Sequence, residues 1–260
     1  NEAIPTPVRS LQFESLPVKV YESEAELGRA AAADAAETIR AAIGERGEAN
    51  IILATGNSQL AFLRALREQP GIDWSRVRVF HMDEYIGIDP EHPASFPRFL
   101  RERFLGGLEG VRFEPISSDP DRVEEICSEY DALLREHPAD LVALGWGENG
   151  HLAFNDPPYA KFDDPHWVKV VELDDVSRRQ QVGEGHFASL DEVPTHAITL
   201  TIPALLAGRR VLCIVPEPRK AQAVRACLTE PVSEDRPGSI LRRQEHATLY
   251  LDRDSSGALD

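Results

Sequence analysis

Residues 141–156 read LVALGWGENGHLAFND: four apolar residues, then a polar loop with three glycines and a histidine. A run so short, apolar throughout and ended by a turn-forming glycine, fits a strand buried on both faces. The same grammar recurs three more times. Ile51-Ile52-Leu53 precedes TGNS at 55–58, Val77-Arg78-Val79-Phe80 precedes MDEY at 82–85, and Val211-Leu212-Cys213-Ile214-Val215 precedes PEPRK at 216–220. Further strands are expected near 197–200 and in ATLYLD at 247–252. Helical patterns lie between the runs. The first begins near Ser23, where Ser23 and Glu26 have capping-box spacing, and carries Leu27, Ala31, Ala35, Ile39 and Ile43 along one face to a stop at Gly44. Others are expected over 58–68, 94–107 and 121–135. Strands alternating with helices predict an α/β fold, a mostly parallel sheet with helices on both faces, in one domain over 1–260.

Composition narrows the partners. The formal charge is −16, from 44 acidic and 28 basic residues, and no long basic run offsets it. Such a surface repels a nucleic-acid backbone. An acidic protein that handles an anion must instead gather positive potential in its site, from backbone amides and a few Lys or Arg side chains. Cys127, Cys213 and Cys227 lack paired metal spacing, and three cysteines cannot all pair internally. No segment approaches the roughly 20 apolar residues that span a bilayer, so no membrane partner is expected and a reducing cytoplasm fits best. A homo-oligomer is left open.

In a parallel sheet the carboxyl ends of the strands line one edge, where ligands bind, so four polar segments far apart in sequence are expected to form one site. In TGNS, Gly56 permits close backbone approach and the following helix offers unpaired amides, which suits a phosphate held by Thr55, Gly56, Asn57 and Ser58. The plain alternative is an ordinary strand-to-helix turn. Lys220 is a cation for the same phosphate, or a solvated surface lysine. In MDEY, Asp83 and Glu84 follow a buried strand, where a carboxylate is either a base in a cleft or a helix cap. His81, Asp83 and His151 also make a metal set conceivable, although neither an HExxH pattern nor paired cysteines support it. In the glycine loop, Gly150 lets the chain turn beside His151, while Asn149 or Asp156 is placed to orient the imidazole. His186, in GEGHF, is a weaker candidate.

FHMDEYIG at 80–87, HPASF at 92–96 and GENGHLAFNDPP at 147–158, with ATGNS at 54–58 and PRKAQAV at 218–224, resemble in order and spacing the signature segments of glucosamine-6-phosphate deaminases. The resemblance implies a Rossmann-like fold and conversion of an amino-sugar phosphate to fructose 6-phosphate and ammonia, without cofactor or metal. It implies Asp83 as the base that moves a proton between carbons 2 and 1. His151 would open the sugar ring, supported by Asn149 and Asp156. Thr55, Gly56, Asn57, Ser58, Glu84, Gly150 and Lys220 would bind substrate. The chain departs from the family pattern in several places. Asn149 and Asp156 stand where Asp and Glu are common, and GNS stands where GGT is usual. SRRQQVGEGHF at 177–187 replaces a segment that supplies a phosphate-binding arginine, for which Arg178 is the nearest match. YAKFDDPHWVKV at 159–170 lacks the pattern tied to allosteric control in hexameric relatives. The alternatives are a galactosamine-6-phosphate enzyme, a 6-phosphogluconolactonase and a non-catalytic sugar-phosphate sensor.

Overall fold

The computed structural model describes residues 3–260. Among them eleven strands form: β1 (Arg9–Phe13), β2 (Leu16–Tyr21), β3 (Ala49–Leu53), β4 (Val77–His81), β5 (Asp83–Tyr85), β6 (Arg112–Phe113), β7 (Leu141–Leu144), β8 (Val168–Glu172), β9 (His196–Leu200), β10 (Arg210–Val215) and β11 (Ala247–Asp252). Eight of them make one sheet in the order β1-β2-β11-β10-β7-β3-β4-β6. Every neighbouring pair in it is parallel except the β1/β2 hairpin. The helices are α1 (Glu24–Arg46), α2 (Leu60–Arg67), α3 (Phe96–Leu100), α4 (Val123–Glu136), α5 (Asp175–Gly183), α6 (Ile202–Leu206) and α7 (Ala221–Thr229).

The apolar runs are continuous because the central strands are covered on both faces. Ile51, Leu53, Val79, Ala143 and Ile214 pack with Leu27, Ile39 and Phe62 from α1 and α2. Their sequence neighbours Ile52, Phe80, Val142, Leu144 and Cys213 pack on the opposite face with Ile126 and Tyr130 of α4 and Val224 and Leu228 of α7. That split follows from the two-residue period of a strand. The α1 and α2 backbones meet at Gly28, where a Cβ would lie 2.7 Å from the carbonyl carbon of Ala61.

The start of α1 is as expected: the Ser23 hydroxyl accepts from the Glu26 N–H at 3.2 Å. Its end is not at Gly44. The helix continues to Gly47, which takes φ 82° and donates its N–H to the Ile43 carbonyl at 2.8 Å. Two glycines three residues apart look alike in sequence, and only the one that leaves right-handed geometry ends the helix. The segment expected as one helix over 94–107 divides into α3 and a wider π turn over 101–105.

Strand β9, expected at 197–200, lies outside the main sheet. It pairs antiparallel with β5 and β8 in a three-stranded sheet. MDEY, read from sequence as a loop, thus contributes β5, with Asp83 opposite Thr199. A third apolar cluster of Tyr85, Phe154, Val171, Phe187 and Ala197 fixes this small sheet. Tyr85 stacks on Phe96 at 5.1 Å and tilts against Phe154 at 5.4 Å. Among the described residues no helix is long and apolar enough to cross a membrane.

Candidate active site

Strands β10, β7, β3 and β4 are consecutive neighbours, so their carboxyl ends open on one edge. Succession along the chain runs from β3 outward to β4 and β6, then returns to β7 on the other side of β3. Such a reversal leaves a crevice where ligands bind. Thr55, Gly56, Asn57, Ser58, Asp83, His151 and Lys220 line one cleft there, joined by Arg219 beside Lys220 and by Gln180, Gln181, Glu184 and His186 from the 177–187 segment.

His151 is held by its own loop. Its Nδ1 bonds the Asn149 side-chain oxygen in a short contact. Asn149 Nδ2 donates to Asp156 Oδ1 at 3.1 Å, and the same carboxylate oxygen lies 3.4 Å from His151 Nδ1. A carboxylate accepts, so the amide nitrogen faces Asp156 and the amide oxygen faces the ring. Nδ1 therefore carries the proton, and Nε2 is left unprotonated in the neutral ring. Burial lowers the His151 pKa, with Lys220 acting in the same sense and Asp156 and Glu184 opposing it. A neutral, oriented imidazole results. Gly147 makes room for it, since a Cβ there would lie 1.9 Å from His151 Cε1. The chain reverses at Gly150, φ 81°, which packs on Cys227 and receives the Gly238 N–H on its carbonyl at 2.7 Å. Asn149, Gly150 and Asp156 thus stand behind His151 instead of lining the cleft.

Asp83 and Glu84 part company. Adjacent residues of a strand point to opposite faces, and on β5 Asp83 takes the cleft face. Glu84 is buried, accepting the Ser95 hydroxyl at 2.7 Å and the Tyr85 and Phe96 N–H groups at 3.0 and 3.4 Å, at the start of α3. The expectation that Glu84 touches substrate is therefore corrected to a helix-capping place. Burial, reinforced by the Glu84 charge, pushes the Asp83 carboxyl up to about 8. Burial also pushes Glu84 up to about 7, against the hydrogen bonds from Ser95, Tyr85 and Phe96. His81 is unavailable as a metal partner: it is fully buried, its Nε2 accepts the Ile116 N–H at 2.8 Å, and burial drives its pKa to about 3.

On the same cleft, Gly56 adopts φ 103° with open space around its Cα, so the turn after β3 depends on glycine for its backbone. Lys220 is 6% exposed and donates Nζ to the Trp146 carbonyl at 2.9 Å. Burial lowers its pKa, with neighbouring Arg219 adding to the effect. Arg178, the nearest sequence match to the family's phosphate arginine, is occupied elsewhere. It donates to the Leu190 and Val193 carbonyls at 2.9 and 3.0 Å and pairs with Asp175. No sequence motif marks Arg219 or Glu184, which meet at 3.1 Å. The position of Arg219 beside Lys220 was the one signal available.

Residues 22–250 match the family model described as glucosamine-6-phosphate isomerases/6-phosphogluconolactonase. A glucosamine-6-phosphate deaminase of Exiguobacterium sibiricum is 33% identical over 208 residues, covering 80% of each chain. One from Bacillus pumilus is 31% identical over 244 residues, covering 90% of this chain and 96% of the relative. The solved structure of a monomeric glucosamine-6-phosphate deaminase superposes with a TM-score of 0.84 at 29% identity, covering 93% of this chain and 99% of that one. A 6-phosphogluconolactonase from Shewanella baltica, at 19% identity and TM-score 0.74 over 90% of this chain and 96% of its own, shares the fold. The family-model match over most of the chain and relatives above 30% identity show that the chain belongs to the glucosamine-6-phosphate isomerase/6-phosphogluconolactonase family.

Proposed function

We propose that the protein converts glucosamine 6-phosphate and water to fructose 6-phosphate and ammonia by acid–base catalysis. The observation that carries this reading is the pairing of a cleft carboxylate, Asp83, with a separately oriented imidazole, His151, in one cleft. Lactone hydrolysis needs a base for water but no second base for a carbon-bound proton. Aldose-to-ketose conversion needs both ring opening and proton transfer between carbons.

Thr55, Gly56, Asn57, Ser58 and Lys220 hold the phosphate and leave the sugar's carbon 1 end toward Asp83 and His151. The unprotonated Nε2 of His151 takes the proton of the anomeric hydroxyl and returns it to the ring oxygen as the ring opens. Asp83 then removes the proton from carbon 2, the electron pair moves onto the carbon 1 carbonyl, and the oxygen there takes a proton from the substrate's own ammonium group to give an enolamine. Delivery of that proton to carbon 1 leaves an iminium at carbon 2, water adds there, and ammonia departs. A carboxyl with its pKa near 8 is a stronger base than an ordinary aspartate, which suits abstraction from carbon.

The test is ammonia release coupled to fructose 6-phosphate formation, with glucosamine 6-phosphate, its galactosamine epimer and 6-phosphogluconolactone as substrates. Turnover of the first, lost in Asp83→Asn by a factor of roughly 10² to 10⁴, supports the reading. Turnover of the lactone alone, unaffected by Asp83→Asn, overturns it.

A further inference from the structure

Arg219 and Lys220 bring two positive charges to the cleft that the Thr55–Gly56–Asn57–Ser58 turn also lines. Lys220 is anchored to the Trp146 carbonyl. Arg219 is held from one side by Glu217, whose Oε2 accepts from Nε at 2.7 Å. Glu217 is itself fixed at φ 87°, with its N–H on Asp252 Oδ2 at 3.1 Å, so this arm of the clamp belongs to the rigid end of β10. On the other side, Arg219 Nη1 meets Glu184 Oε1 at 3.1 Å, with Glu148 further off at 3.9 Å.

Glu184 comes from a different kind of element. It closes α5, a helix with no buried residue, and its carboxylate is the anion that faces Arg219 across the cleft. Burial disfavours that charge, yet hydrogen bonds from His186 and Gln180 and the charges of Arg219 and Lys220 outweigh it and hold the carboxyl down to about 2. A carboxylate so stabilised beside two cations occupies the electrostatic position of a phosphate. The two anions repel at this range, so they exclude one another. Arg178 cannot serve instead, because its guanidinium is spent on backbone carbonyls.

We propose that Arg219 is the second cation for the substrate phosphate, and that the Glu184 carboxylate holds its place until phosphate displaces it. The inference rests on the sugar-phosphate reading of the cleft. It makes phosphate entry and release of the α5 arm a single exchange: the phosphate takes Arg219 from Glu184, and Glu184 keeps its bonds to His186 and Gln180.

The probe is inorganic phosphate, titrated at constant ionic strength against the full chain by calorimetry, with thermal midpoints measured alongside. Arg219→Gln weakens phosphate binding about tenfold or more, and Arg219→Lys recovers part of the loss. Glu184→Gln acts in the opposite sense and tightens binding severalfold, because a competing anion is removed. A purely structural role for the pair would lower the thermal midpoint of both variants and leave phosphate affinity unchanged or reduced in both, which overturns the proposal. Lys220→Gln separates the two levels. If Lys220→Gln binds phosphate as well as wild type, the sugar-phosphate reading itself fails; if only Arg219→Gln does so, the reading stands and the role of Arg219 is refuted.

Discussion

Replacing Gly147 with alanine isolates the placement of His151 from the presence of its chemistry. Gly147 does not use the left-handed region, so its backbone accepts alanine without conformational strain. The added Cβ would fall 1.9 Å from His151 Cε1 and 2.3 Å from each ring nitrogen. Ordinary carbon contacts begin near 3.5 Å, so the ring must move by about 1.6 Å or the loop must open by as much. Either motion breaks the bond from Nδ1 to Asn149 and swings Nε2 away from the sugar. A misplacement of about 1 Å costs on the order of 10²-fold in rate, and the whole acid–base contribution of one group is worth roughly 10² to 10⁴. Gly147→Ala is therefore expected to lower kcat for ammonia release by about 10² or more per folded molecule, approaching His151→Ala. A kcat within threefold of wild type would mean that ring position is not what the glycine protects.

Asn149→Leu removes the acceptor for the Nδ1 proton and frees the tautomer, so kcat should fall about 10- to 100-fold with KM little changed, whereas Asn149→Asp, which still accepts, should retain most activity; equal losses in the two would sink the orienting role. Because the base form of Asp83 is the deprotonated one and its pKa lies near 8, kcat/KM should rise about tenfold per pH unit below that value, and Glu84→Gln should move this limb acidward by removing a like charge. A profile flat from pH 6 to 9 argues against Asp83 as the base. The same two carboxyls bind protons more tightly folded than unfolded, where values of about 3.9 and 4.3 apply. Their contribution to stability is thus complete below those values and is lost as pH rises through about 7 for Glu84 and about 8 for Asp83, so the thermal midpoint should decline from pH 5 to 8, less steeply in Asp83→Asn. Gly28→Ala pushes a methyl against the Ala61 backbone and should destabilise by about 1–3 kcal/mol in denaturant unfolding, with no effect on turnover per folded molecule.

The alternation of buried strands and crossover helices, the cap at Ser23 and the four polar strand ends were legible from the amino-acid order alone. These are local signals: a continuous apolar run, a two- or four-residue period, and a glycine beside a histidine carry their meaning within about ten residues. The remaining choices were made by contacts between distant segments. Asp83 and Glu84 are neighbours of the same chemistry, and only the pairing of β5 with β9, some 115 residues away in the register Asp83 to Thr199, turns one carboxylate into the cleft and the other under α3. Arg178 matches a motif, but its partners Leu190 and Val193 remove it from the site, and the cation beside Lys220 is Arg219, facing a carboxylate from α5. Such choices depend on which distant groups satisfy a buried charge or hydrogen bond, and no local pattern encodes that partner.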